Sequence, residues 1–110
     1  MAYFRSQLPV SVPVHKLDHL IADLIGGIGM QVETQSHPHA WMIGTDPPQP
    51  ALRPEEHVTL LCDWSNLHNT GELTIETRSG ESMAHARTRA QSLLLHCCGT
   101  LQGPLAGDGG

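Results

Sequence analysis

Eight histidines and three cysteines in 110 residues are the side chains here best suited to chemistry. Imidazole and thiolate are zinc ligands, and either can act as base or nucleophile. His15 and His19 stand four residues apart, with Asp23 four further on. On a helix this spacing sets all three along one ridge, where a divalent metal could be chelated. The segment reads HKLDH rather than HExxH, so the base carboxylate of the metalloproteases is missing. The ridge also lies opposite the apolar arc of its own segment, which makes solvated surface histidines the simpler reading. His37-Pro38-His39 falls in a turn, and His57 and His68 fall near strand ends, so further imidazoles could converge. Cys97 and Cys98 are adjacent and would point about 100° apart on a helix. No CxxC pair accompanies them, and Cys97 reads as a small core residue.

The parts for nucleophilic catalysis are present in Cys62, Asp63 and Ser65, but no GxSxG elbow holds them. Cys62 shares the parity of Leu60 and Trp64, the pattern of a buried strand face. Gly26-Gly27-Ile28-Gly29 follows a helix instead of preceding one, so it is a helix stop and not a phosphate cradle. The densest polar and aromatic cluster is Asp63-Trp64-Ser65-Asn66 with His68 and Asn69. Trp41 and Trp64 are two of only four aromatic residues. An indole beside a polar turn is a favoured interface anchor, although packing in the core is the plainer fate of either one. Candidate partner-binding residues are therefore Trp41, Ile43, Trp64, Asn66, His68 and Asn69. Arg78, Arg87 and Arg89 could meet an acidic peptide, or simply be solvated.

The elements that must position these residues are legible from periodicity. His57–Ser79 holds two alternating runs around a turn-rich link, Asn66–Gly71, which predicts an antiparallel hairpin. Tyr3–Val10 predicts an edge strand, limited by Pro9. Val14, Leu17, Leu20, Ile21, Leu24, Ile25 and Ile28 share one helical arc, predicting a helix over about 14–28 that the glycines end. Gly29–Gln35 and Ala40–Thr45 read as two more strands joined by a turn. Four prolines in 46–56 predict a long irregular loop, with a helical turn possible after Pro54. A second helix is predicted over about 82–98, with Ser82 as cap and a stripe of Met83, Ala86, Ala90, Leu93, Leu94 and Cys97. Residues 1–98 then form one domain, and the glycine-rich 99–110 is expected to be a disordered tail.

Fold class follows as α+β: a two-layer sandwich with a mostly antiparallel sheet of four to five strands and both helices on one face. Trp41, Ile43 and Leu61 have the parity that points away from those helices. They would leave an apolar patch most simply covered by a second copy of the protein.

Composition narrows the function. A net charge of −5 with six Lys and Arg argues against nucleic acid, which is gripped by clustered cations. Nothing approaches the ~18 consecutive apolar residues of a membrane span. MAYFRSQLPVSVPV lacks the apolar core of a secretory signal, and three cysteines make no disulfide framework, so a cytoplasmic setting is expected.

Leu73–Leu94, LTIETRSGESMAHARTRAQSLL, resembles the C-terminal part of a family of small uncharacterised cyanobacterial α/β proteins. In these an opening strand and helix like Phe4–Ile21, FRSQLPVSVPVHKLDHLI, precede a sheet and a closing helix. The likeness spans most of residues 3–98 and brings no activity or catalytic residue with it. The helix-on-sheet layout is similar in outline to type III secretion chaperones, dimeric proteins that hold partner segments, but a central helix like theirs is lacking. The sequence thus predicts a non-enzymatic adaptor or chaperone-like module, homodimeric, binding a protein or peptide without a cofactor. The alternatives are a small histidine-rich metal-binding or hydrolytic domain, or a small-ligand-binding regulator with its pocket under the proline-rich loop.

Overall fold

The computed structural model of the chain describes residues 1–36, 40–84 and 87–107. The elements in order are β1 (Ala2–Pro9), a 3₁₀ turn (Val14–Lys16) leading into α1 (Leu17–Gly27), β2 (Gln31–Gln35) and β3 (Trp41–Thr45). A second 3₁₀ turn (Pro54–Glu56) precedes β4 (Thr59–Asp63), the single-turn α2 (Leu67–Thr70), β5 (Glu72–Ser79) and α3 (Arg89–Ala106). The five strands make one sheet in the order β1-β5-β4-β3-β2, with every neighbouring pair antiparallel. This is the expected two-layer α+β domain, with β1 at one edge.

Pleating divides the sheet into two faces, because successive residues of a strand point opposite ways. Met42, Leu60, Cys62, Leu73, Ile75 and Thr77 point inward and are all buried. Two helical stripes cover them. α1 contributes Leu17, Ile21, Leu24 and Ile25, while α3 contributes Ala90, Leu94, Cys97, Leu101 and Leu105. Each large aliphatic side chain so buried stabilises the fold by about 1.5–3 kcal/mol. α3 lies over β1 and β5, and α1 over the β2 side. Gly44 on β3 lets α1 settle close, since a Cβ there would come within 2.9 Å of Ile25 Cγ2.

α1 ends as its glycines predict. Gly29 takes the left-handed conformation at φ 79°. Its N–H donates to Gly26 O at 3.1 Å, and the Met30 N–H reaches back to Ile25 O at 3.0 Å. This is the paired-bond helix stop that glycine favours. The turn expected after Pro54 is the 3₁₀ turn there. The Asn66–Gly71 link is more regular than a loop, because it winds into α2 and stops at Gly71 in the left-handed region, φ 69°.

The second helix differs from expectation at both ends. It runs over Arg89–Ala106 instead of 82–98, with Thr88 as its cap: Thr88 Oγ1 accepts from the Gln91 N–H at 3.1 Å. Met83 lies before it and is 54 % exposed; His85 and Ala86 lie outside the described residues. The segment expected to be a disordered tail is helical through Ala106, even with Pro104 inside. Leu101 and Leu105 explain this, for they continue the Cys97 stripe at spacings of four and are 2 % and 0 % exposed. Gly99 and Gly103 have no neighbour within 4 Å of where a Cβ would stand, so they face away from the packing.

Filling the notch at Gly44 should be costly. Gly44→Ala is expected to destabilise the protein by about 1–3 kcal/mol, as overpacking does, measured by urea unfolding. Combined with Ile25→Ala, which removes the methyl in the way, the loss should be smaller than the sum of the two single losses.

Candidate functional site

The best-built polar cluster stands at one end of the sheet and joins four segments distant in sequence. Asp46, just after β3, is buried, and both its carboxylate oxygens accept from the Arg89 guanidinium. Nη2 lies 3.0 Å from Oδ1, and Nη1 is bonded to Oδ2. The Val58 N–H donates to Asp46 Oδ2 at 2.8 Å, and Arg89 Nη1 also donates to Glu56 O at 3.2 Å. Burial alone would raise the Asp46 pKa. The Arg89 bonds, the Val58 N–H and the charges of Arg89 and His57 outweigh it, holding the carboxyl below its ordinary 3.8. Beside the pair, Glu81 accepts from the Arg89 N–H at 2.9 Å and from the Ala90 N–H at 3.2 Å, an anion placed on the positive end of α3. Ser79 Oγ donates to the same carboxylate at 2.7 Å. Arg89 is therefore committed inside the fold and is not free to meet a peptide. With every charge answered by a partner in the fold, the cluster serves to fasten the proline-rich loop and the start of α3 to the sheet.

The proline-rich loop passes close to the end of β5. Gly80 comes so close that a Cβ there would lie 3.1 Å from Glu55 Cα. The depression beside the loop, about 360 Å³, is polar and lined by Arg53, Glu55, Glu56, Glu81 and Arg87 among others.

The outer face of the sheet is different in kind. Register aligns its outward side chains in rows across the strands: Tyr3, Arg78, Thr59, Thr45 and Gln31 in the first, and Arg5, Glu76, Leu61, Ile43 and Thr34 in the second. Gln7, Thr74, Asp63 and Trp41 make the third, and Pro9 with Glu72 the last. Trp41, Ile43 and Leu61 are half-buried and form one apolar patch on β3 and β4, on the face opposite the one that α1 and α3 cover. A shallow depression of about 240 Å³ lies between Ile43, Leu61, Thr59, Glu76 and Arg78. On the β1–β5 side, Tyr3 Oη donates to Glu76 at 2.8 Å, and that bond chiefly raises the Tyr3 pKa. The Arg78 guanidinium sits 5.2 Å from the Tyr3 ring centroid, and Arg5 lies 3.8 Å from Glu76.

Of the partner-binding candidates, the structure puts Trp41 and Ile43 on this face. Trp64 belongs to the core at 4 % exposure, its N–H bonded to Ala40 O at 2.8 Å, so it offers no surface to a partner. Strand parity, which groups it with Leu60 and Cys62, outweighs its polar neighbours. Asn66 immediately precedes α2, His68 and Asn69 lie on it, and all three are exposed, at the sheet end nearest Trp41. Asn66 and Asn69 spend side-chain capacity on each other at 2.8 Å.

The metal candidates do not assemble. His15, His19 and Asp23 all border a groove of about 570 Å³ between α1 and α3. Yet among the described residues no three His, Cys, Asp or Glu side chains converge as a metal site. His15 lies in the 3₁₀ turn, whose tighter winding takes it off the ridge that a continuous α-helix would have made. His37-Pro38-His39 lies outside the described residues. The groove continues along an apolar stretch of about 420 Å³ lined by Leu20, Leu24, Ile28, Leu101 and Pro104 among others. Cys62 and Cys97 are buried between the layers. Burial, and then the neighbouring thiols, pushes Cys97 up to about 11 and Cys62 higher still, which denies both the thiolate a nucleophile needs.

The chain matches no family model, no curated protein and no solved structure.

Two outcomes test this account. Asp46→Asn should lower stability by about 3 kcal/mol near neutral pH, the low end for breaking a buried pair, because Arg89 keeps 27 % exposure. A depressed carboxyl stabilises above its unfolded pKa and loses that contribution as pH falls through the folded one. The gap between variant and wild type should therefore close in acid below about pH 4, read by thermal melts across pH. Separately, a disulfide reagent should titrate only the half-buried Cys98 in the native protein and all three thiols in denaturant.

Proposed function

We propose that this protein is a non-enzymatic protein- or peptide-binding module, chaperone-like in offering a contact surface rather than chemistry, with the outer face of the sheet as its contact face. One observation carries this reading: the apolar patch of Trp41, Ile43 and Leu61 lies in the middle of a sheet face that no helix among the described residues covers. An aromatic anchor, two aliphatic side chains and a charged surround match the make-up of protein contact surfaces. The well-formed polar cluster at Asp46 and Arg89 is consumed in holding the fold, and the buried thiols are poor nucleophiles, which supports binding over catalysis. No helix among the described residues is long and apolar enough to cross a membrane. Three unpaired cysteines suit a reducing, cytoplasmic setting.

Ile43→Asp puts a charge in the middle of the patch while leaving the inward side chains of β3 untouched. Immobilised wild-type chain and variant would be compared for the proteins they retain from native cell extract. The expected result is at least one foreign protein retained by the wild type and lost by the variant, with both melting within a few degrees of each other. Identical retained sets would remove the outer face as the site.

A further inference from the structure

β1 is the regular free edge of the sheet, because β2 at the other edge is interrupted between Val32 and Thr34. Two observations fix where its backbone groups point. Val10, next in register after Pro9, donates its N–H to Gly71 O at 2.9 Å. Hydrogen-bonded pairs alternate along an antiparallel ladder, so Ala2, Phe4, Ser6 and Leu8 turn their N–H and C=O groups to β5, while Tyr3, Arg5 and Gln7 turn theirs outward. Pro9 falls in the outward set, where its missing N–H costs the β5 ladder nothing. No turn or loop backbone among the described residues bonds to these outward groups. α3 runs beside this edge. The Thr77 hydroxyl, opposite Phe4 in register, donates to Ala90 O at 2.8 Å, and the Ser11 N–H donates to Leu105 O at 2.8 Å, so α3 and β1 run in the same direction. His96, Thr100 and Pro104 of α3 line the groove toward α1. The opposite flank, which looks out beyond β1, carries Gln91, Leu95, Cys98 and Gln102, a helical seam in which Leu95 is 65 % exposed and Cys98 is half-buried.

We propose that β1 pairs antiparallel with β1 of a second copy about a two-fold axis, making one sheet of twice the width with the two α3 helices side by side over the seam. This pairing does not depend on the contact-face reading and leaves that face open on both copies. Backbone bonding allows only registers that set outward residues against outward residues. Centring on Arg5 sets it directly against the partner's Arg5, a repulsive pair. Centring on Phe4 or Gln7 shortens the ladder to residues 2–6 or 5–9. Centring on Ser6 lets Arg5 exchange both backbone bonds with the partner's Gln7, and the Tyr3 N–H reaches the partner's Pro9 O. Each Arg5 then lies only diagonal to its copy, with Glu76 of its own sheet 3.8 Å away. On the helix side the half-buried Phe4 packs on the partner's Leu8, and the two Ser6 hydroxyls meet on the axis, where one donates to the other. From Ala90 to Leu95 the helix rises about 7.5 Å, and from Phe4 to Ser6 the strand rises about 6.6 Å, so Leu95 stands level with Ser6. It therefore meets the partner's Leu95 above the small Ser6 pair, and Gln91 meets the partner's Cys98. α3 lies astride β1 and β5, which places the two helices about two strand spacings apart, ~10 Å, the separation of packed helices. The occupant follows from this coincidence. A foreign strand would pair the open backbone but bring nothing to Leu95, whereas a second copy covers both in one register.

Analytical ultracentrifugation of the purified full chain from micromolar to millimolar concentration, with amide hydrogen exchange at both ends of that range, tests the proposal. The wild type should dimerise, and the Tyr3, Arg5 and Gln7 amides, open in the monomer, should become protected at high concentration. Gln7→Pro should abolish the dimer and keep the fold, since it removes an outward N–H and no bond to β5. Leu95→Glu and Leu95→Lys should each weaken the dimer roughly tenfold or more, and their equimolar mixture should recover most of the loss, because position 95 meets its own copy across the axis. Ile43→Asp, away from the seam, should leave the dimer intact, so failure of the contact-face reading and failure of this one are told apart. A wild type that is monomeric throughout overturns the proposal. So does a dimer in which the three amides stay open, or a mixture of the Leu95 variants no tighter than its weaker parent. A dimer kept by Gln7→Pro and lost to Ile43→Asp assigns the second copy to the outer face and overturns it as well. If Gln7→Pro unfolds the chain, amide protection and the charge mixture decide without it.

Discussion

The pleat of the sheet is the constraint from which the other features follow. Five antiparallel strands in register leave no freedom over which residues share a side, so each strand has assigned half its side chains to the helices and half elsewhere. Inward, that assignment gathers Leu60, Cys62, Leu73 and Ile75 beneath α1 and α3, all at 0 % exposure. Outward, it gathers Trp41, Ile43 and Leu61 with Tyr3, Arg5, Glu76 and Arg78. A one-residue slip of β3 would send Trp41 and Ile43 into the core and Met42 outside it. The notch at Gly44 and the buried Ile25 against it therefore guard the outer face as well as the inner one.

One end of the sandwich is held by polar means. The proline-rich loop has little regular structure of its own, and the buried Asp46 carboxylate gives it a fixed anchor through Arg89 and Val58. The same guanidinium reaches Glu56 O, while Glu81 meets the first N–H groups of α3. Loop, strand ends and helix start are thus fixed together. This leaves the function to surfaces that the fold does not consume.

Local pattern revealed what local forces decide. The apolar arc of α1 and its stop at Gly29, the alternation of β4 and β5, and the edge position of β1 were all readable from spacing. The Asp46–Arg89 pair was not, because its members stand 43 residues apart and each looks like an ordinary surface charge. The start of α3 misled because Ser82 is a good cap by type, whereas Thr88 takes the role with Glu81 beside it. Its far end misled because glycine content suggested a loose tail, although Leu101 and Leu105 keep the spacing of the stripe begun at Ala90. Trp64 carried two conflicting signals, polar neighbours and core parity, and packing decided between them. The outer patch was visible in the parity of Trp41, Ile43 and Leu61. Which charged residues surround it needed the register of non-sequential strands.

The separation of the two indoles gives the molecule a pair of built-in optical reporters. Trp64, enclosed between the layers, emits from an environment that persists only while the core is intact. Trp41 emits from the wet side of the sheet, where whatever settles on that side must alter its solvation. A change in one colour of emission without the other would distinguish docking from unfolding, with no label attached.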